Sequence, residues 1–275
     1  TTPSSTHTRI QNIIAIASGK GGVGKSTTTV TLARTLSELG YSIGILDADI
    51  YGPSLATMTQ VNQPKKMNQD KVVPPQVQGI KIISSSMFAS VNQAQILRGP
   101  MAANFVKQFL THVDWGDLDF LLIDYPPGTG DIQLTLSQQT KITAALIVTT
   151  PQKLAIQDAK KAISMFETLH VPILGVVETM SFFTCAGCQK KHHIFSKNGG
   201  LALANDYNIP LLGQLPLDPQ LTINCDLGQL LTLPQVKNSA YYPHSLELAK
   251  KVTNLLPFLK RNKQQALGTF SLTWQ

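Results

Sequence analysis

"SGKGGVGKST", Ser18 to Thr27, fits the pattern G-x-x-x-x-G-K-[ST] and lies between an apolar, β-branched run (13–18) and a helical pattern (25–39). A strand, a glycine-rich turn and a helix in that order form the setting in which the pattern binds phosphate. Gly19, Gly21, Gly22 and Gly24, with Val23 among them, let the backbone curl until its N–H groups face phosphate oxygens. The helix beginning near Lys25 adds the positive end of its dipole. Lys25 is expected to reach the β- and γ-phosphates, the Ser26 hydroxyl to ligate Mg²⁺, and the loop to continue along the nucleotide through Thr27. Lys20 is surplus to the pattern and needs a separate reason.

Working outward, short apolar runs recur at 13–18, 42–50, 80–86, 119–127, 145–151, 173–181 and 211–218, each reading as a strand buried on both faces. Helical patterns fall between them at 25–39, 100–113, 152–169, 199–206 and 243–256. Strands alternating with helices predict parallel pairing with right-handed crossovers. The expected fold is therefore α/β, a single-domain P-loop NTPase with a twisted, mostly parallel sheet covered by helices on both faces. Residues 13–260 are assigned to that domain, 1–12 to an N-terminal extension and 261–275 to a C-terminal tail. The polar, Pro-rich stretch 59–79 reads as a loop or small excursion, and Pro257 is expected to break the last helix.

Ligands of such sheets bind beyond the carboxyl ends of the strands, and two carboxylate motifs fall there. "ILDADIYGPS" places Asp47 and Asp49 two apart, on one side if the strand continues that far. "LLIDYPPGTGD" ends a second strand in Asp124, the usual setting for a carboxylate that holds Mg²⁺ through water.

The chain has 275 residues, 43% of them hydrophobic, and a net charge of +7. Its basic residues are scattered, so nucleic-acid binding is not expected. It has no apolar run near the roughly 20 residues that span a bilayer and no secretory signal pattern, which points to a cytoplasmic protein without a membrane partner. The three cysteines, two of them in "CAGC", suit metal or redox chemistry rather than a disulfide framework. Cys185 and Cys188 can turn both sulfurs toward one metal, but two thiolates cannot close a four-ligand site. A second pair from a symmetric dimer would close it around one bridging cluster; one or both of His192 and His193 would join the thiolates around Zn²⁺ within one chain; a redox disulfide or plain turn needs neither. Cys225, alone in "INCDLG", reads as a small buried residue.

In their order along the chain, "GKGGVGKSTTTVTLARTLSELGYSIGILDADIYGPS", "RGPM", "LDFLLIDYPPGTGDIQLTLSQ", "TTPQ" and "CAGC" resemble the Mrp/ApbC family of iron–sulfur cluster carriers, over roughly residues 10 to 255. That family belongs to the deviant Walker A NTPases, with the MinD-type and nitrogenase-iron-protein-type ATPases. The resemblance implies ATP and Mg²⁺ as cofactors, and ATP hydrolysis in a homodimer that carries a bridging [4Fe–4S] cluster between an assembly scaffold and apo iron–sulfur proteins. It implies that Lys20 reaches across the dimer to the partner's nucleotide, as an arginine finger does. It also implies that Asp49 positions the attacking water and lies near the magnesium, that Asp124 is the switch carboxylate beside Mg²⁺, and that Asp47 is an acidic position near the same ion.

Two positions depart from the family pattern. Leu97 replaces the Trp of "WRGPM", and Thr179 in "VETMS" stands where the family carries an Asn that contacts adenine. A hydroxyl cannot present the paired donor and acceptor of an amide, which leaves Pro216 and Asp218 in "LPLD" to help enclose the base. The alternative function is a MinD/ParA-type positioning ATPase whose cysteines hold structural zinc.

Overall fold

The computed structural model describes residues 9–50, 52, 54–66, 71–88, 99–231, 237 and 239–268. Its first half runs β1 (Ile10–Ala17), α1 (Lys25–Glu38), β2 (Ile43–Asp47), α2 (Leu55–Thr59), β3 (Lys65–Lys66), β4 (Val72–Val73), β5 (Gln76–Val77), β6 (Ile80–Ser84) and α3 (Gly99–His112). The second half runs β7 (Leu118–Asp124), α4 (Asp131–Gln139), β8 (Ala144–Thr149), α5 (Lys153–Thr168) and β9 (Ile173–Glu178). It continues with β10 (Phe183–Thr184), β11 (Lys191–His192), α6 (Gly199–Asp206), β12 (Leu211–Gln214), α7 (Pro219–Asp226) and α8 (Tyr242–Gly268).

All the expected strands form and join one eight-stranded sheet in the order β12-β9-β8-β1-β7-β2-β6-β5. Every pairing is parallel except that of β5 with β6. The phosphate-loop strand β1 is central, and alternation along it divides two cores. Ile14 and Ile16 pack with Val30, Leu32 and Leu36 of α1 and with Leu248, Val252 and Leu256 of α8. Ala15 and Ala17 face the other way, toward Phe109 of α3, Leu136 of α4 and Ile163 and Phe166 of α5. Each fully buried branched side chain contributes about 1.5–3 kcal/mol relative to exposure, so this double burial is what holds β1 rigid.

The ends of elements differ from the sequence reading. β1 starts at Ile10, inside the stretch expected to precede the domain, because Ile10 is in register with Leu118 and the Asn12 amide donates to the Asp119 carbonyl at 2.8 Å. Residues 1–8 lie outside the described set. The last helix is not broken at Pro257 but runs through it to Gly268, past the expected start of the tail at 261. Pro257 forfeits one main-chain bond, yet Leu248, Ala249, Val252 and Leu256 anchor the preceding turns on the sheet and the proline ring is exposed. The stretch 59–79 forms the expected excursion only in part: β3 and β4 pair antiparallel apart from the main sheet, but β5 within it pairs with β6 and becomes the sheet's last strand; residues 67–70 lie outside the described set. Leu97 and Arg98 do as well, while the remainder of "RGPM" begins α3.

Candidate nucleotide site and thiol pair

The register carries the acidic strand ends to one edge: Asp124 is paired with Ile16 of β1 and with Asp47 of β2. Between β1 and α1 the chain turns through Gly24, whose φ of +79° is a left-handed conformation open to glycine. Gly24 is the N-cap of α1 and places no side chain on the helix's first amides, which leaves those N–H groups to the cavity beside them. Gly19 is required for a different reason. A Cβ there would lie 2.1 Å from the Asp158 main chain, so its lack of side chain is what lets the loop pack on α5.

Asp124 has no exposed surface and is met by three donors. Lys25 Nζ lies 2.8 Å from Oδ2, Ser26 Oγ donates to the same oxygen at 2.6 Å, and Thr29 Oγ1 donates to Oδ1 at 2.8 Å. Lys25 itself is only 6% exposed. Asp47, also without exposed surface, accepts the Ser84 hydroxyl at 3.0 Å and the N–H groups of Asp49 and Leu55 at 3.1 and 3.3 Å. Burial first, and repulsion from Asp124 second, push its carboxyl up to about 7 against the opposing pull of Lys25 and the hydrogen bonds. β2 ends at Asp47, so strand alternation does not reach Asp49. Asp49 instead sits in the following loop, where Oδ1 accepts the Gly52 N–H at 3.1 Å and the side chain faces the cavity.

That cavity, about 370 Å³, is lined by Ser18, Lys20, Lys25, Ser26, Asp49 and Pro127, among others. A second of about 350 Å³ is lined by Thr179, Pro216, Leu217, Asp218, Cys225 and Tyr241. Gly24, Thr27, Met58 and Met180 border both, which makes them one continuous cleft: one end carries Lys20, Lys25 and Asp49, and the other is the more apolar. Asp218 Oδ1 caps α7 by accepting the Gln220 N–H at 2.9 Å, while its buried Oδ2 has no partner among the described residues. Cys225 is buried as expected, and burial pushes its thiol above the usual range.

The cysteine pair is built in the opposite way. β10 and β11 form a two-stranded hairpin with Phe183 opposite His192 and Thr184 opposite Lys191. The Cys185 N–H donates to the Lys190 carbonyl and the Gln189 N–H to the Cys185 carbonyl, closing a turn that carries both thiols. Cys188 is exposed and Cys185 partly so, and both are free. The main-chain N–H groups of Cys188 and Gly187, with help from the Cys188 thiol, pull the Cys185 thiol below its usual range. Neither histidine joins them: His192 lies in β11, and His193 Nδ1 is 2.9 Å from the Ser181 carbonyl. Among the described residues no group of three or more His, Cys, Asp or Glu gathers to hold a metal, so the one-chain zinc set weighed from the sequence is not assembled.

The family described as ParA: NUBPL iron-transfer P-loop NTPase matches residues 9–253. The chain belongs to that family. It is 43% identical over 228 residues to the iron-sulfur cluster carrier protein of Aquifex aeolicus, an alignment covering 82% of this chain and 62% of that relative. A nucleotide-binding protein of Archaeoglobus fulgidus, solved in complex with ADP, superposes with a TM-score of 0.71 at 37% identity over 81% of this chain and 88% of its own. The cell division ATPase MinD of Pyrococcus furiosus shares the fold, with a TM-score of 0.69 at 21% identity over 90% of this chain and all of its own.

The donors of this NUBPL-type NTPase fit a magnesium nucleotide. Open α1 amides and the Lys25 ammonium suit phosphate, and the hydroxyl of Ser26 with the carboxylates of Asp49 and Asp124 offers the hard oxygen ligands that Mg²⁺ takes, directly or through water. The phosphate loop, Asp49 and Thr179, Pro216 and Asp218, the last two expected from the sequence to help enclose a base, are thus brought to one cleft, and the two cysteines to a separate hairpin. Two site residues escaped the sequence reading. Thr29 follows Ser26 by three residues, a spacing that puts it on the same helix face, and Tyr241 gave no signal because its neighbours in space are distant in sequence.

Proposed function

We propose that the chain is an ATP-hydrolysing carrier that holds a bridging [4Fe–4S] cluster between two copies of itself in the cytoplasm and passes it to apo-proteins. One observation carries the reading: β9, whose end borders the nucleotide cleft, leads within seven residues into an exposed turn bearing two free thiols and no third ligand among the described residues. Such a pair is half of a four-thiolate site, and a two-fold axis supplies the other half. The name of the Aquifex relative supports the cargo.

In this account the cluster is the load and the chain's own groups do the work. The loop amides and Lys25 bind and orient the phosphates, Ser26, Asp49 and Asp124 hold the cation, and Asp49 orients the attacking water. Asp47 belongs to the same acidic group. Lys20, whose carbonyl accepts the Ser18 hydroxyl at 2.9 Å, is placed at the cavity wall, from which closure of two subunits would bring it to the partner's phosphates. Cargo release requires that one nucleotide state hold the cluster more weakly than the other.

The test is transfer. Chain loaded anaerobically is mixed with an apo-enzyme whose activity needs a [4Fe–4S] cluster, with and without MgATP. Recovery of enzyme activity faster than from free iron and sulfide is expected; recovery at the free-ion rate contradicts the reading.

A further inference from the structure

The end of β9 links the cleft to the hairpin through a short run of bonds. Thr179, the first residue beyond the strand, places Oγ1 2.5 Å from the Val23 carbonyl in the phosphate loop and 3.0 Å from the Thr149 carbonyl at the end of β8. Its own N–H donates to that Thr149 carbonyl at 2.8 Å. The residue that stands where the resembled family carries its base-contacting Asn thus spends its hydroxyl on the main chain.

Met180 follows with φ of +51°, a left-handed conformation that costs a non-glycine residue about 1–2 kcal/mol, and it borders both ends of the cleft. Strain of this kind persists where surrounding bonds enforce it. They do so here through Ser181, whose N–H donates to the Leu215 carbonyl at 3.0 Å and whose hydroxyl donates to Glu178 Oε1 at 2.6 Å. Glu178, without exposed surface, is held in turn by the Gly200 N–H at 2.5 Å and the Gln214 amide at 2.9 Å. On its far side the Ser181 carbonyl meets His193 Nδ1, one residue past β11. Val23, Thr179, Ser181 and His193 therefore form a path from the phosphate loop to the strand behind the thiols, with a strained residue in its middle.

We infer that Thr179 is a positioning residue that ties the phosphate loop to the hairpin, so that nucleotide in the cleft changes the reactivity of Cys185 and Cys188. A loop that turns its N–H groups inward to phosphate turns carbonyls outward, and the Val23 carbonyl is the one Thr179 grips. Displacement of that carbonyl on phosphate binding moves the end of β9, and Met180 passes the movement to Ser181. The inference rests on the nucleotide reading of the loop and is independent of the cargo.

The test uses the full chain without cluster. Alkylation rates of Cys185 and Cys188 by iodoacetamide are followed by peptide mass spectrometry, without nucleotide and at MgADP concentrations shown by equilibrium dialysis to saturate each variant. In the wild-type chain saturation is expected to change the rates by about fivefold, the low end of ordinary coupling between sites. Thr179→Val, which keeps the shape and removes the O–H, should bring the ratio to one, and Thr179→Ser should restore it. A response that survives in Thr179→Val, or is missing from the saturated wild-type chain or from folded Thr179→Ser, overturns the inference. A wild-type chain that binds no MgADP in the dialysis overturns the phosphate-site reading first and this inference with it.

Discussion

Asp124 ends a strand of the main sheet, sealed under three hydrogen-bonding side chains, whereas Cys188 stands in solvent on a separate two-stranded hairpin. In the phosphate region the loop, Asp49 and an apolar extension, all from one chain, line a single cleft. The thiol region offers two free thiols where a tetrahedral metal or a cluster asks for four ligands. On the proposed reading, this difference assigns nucleotide binding to one chain and cargo binding to an assembly of two. Substitutions on the two sides of that division should therefore fail in different ways.

The largest effect is expected at the hairpin. Cys188→Ser should lower reconstituted iron from about two atoms per chain to near none while leaving MgADP affinity unchanged, since each cluster iron needs a protein thiolate. Iron and sulfide assays beside a nucleotide titration read both halves. Next comes Lys20→Ala, which should slow ATP hydrolysis by about 10²–10³-fold, the scale for removing a donor from transition-state charge, with a much smaller change in nucleotide affinity. Equal loss of both would place Lys20 in its own chain's phosphate site and weaken the link between assembly and hydrolysis.

A smaller effect concerns the sealed region. Asp47, pushed up to about 7 by burial, keeps its proton at pH values where the unfolded chain, with a carboxylate near 3.9, has lost it. The folded state then binds more protons between about pH 4 and 7, so this group's contribution to stability falls as pH rises through that window. Asp47→Asn should flatten the fall and melt several degrees above the wild-type chain at pH 8, with little difference near pH 4. Thermal melts without nucleotide across that range check it. The smallest expected effect separates the thiols: in the nucleotide-free chain Cys185, lowered by main-chain N–H groups, should be alkylated at lower pH than Cys225, raised by burial. A common pH profile would remove the electrostatic contrast between the regions.

The sheet was legible in the sequence because its strands are buried on both faces and read as continuous apolar runs, as in "DFLLID", with glycine or proline close behind. Helices with a strong apolar stripe, such as α5, were equally plain. α4 escaped because "DIQLTLSQQ" mixes β-branched and polar residues and Gly130 gives it no capping side chain. α7 carried a legible start signal, Asp218 followed by Pro219, which the reading of Asp218 as a base contact obscured. In the site, residues fixed by a local motif were readable: Lys25, Ser26 and the strand-end carboxylates. The bonds of Thr179 were not, because its partners Val23 and Thr149 are 156 and 30 residues away in the chain and no local spacing announces them. The continuity of the last helix through Pro257 was hidden for the same reason, since packing on the sheet outweighs the lost main-chain bond.

The most direct test of the division between monomer and assembly is anaerobic reconstitution of the wild-type chain with iron and sulfide. It is followed by iron, sulfide and zinc analysis, a visible spectrum and the mass in solution. One cluster shared by two chains predicts about two iron and two sulfide per chain, a broad visible absorption and the mass of a dimer. About one zinc per chain, no sulfide and a monomer's mass would contradict it, and would make the hairpin a structural knuckle on an ATPase with another purpose.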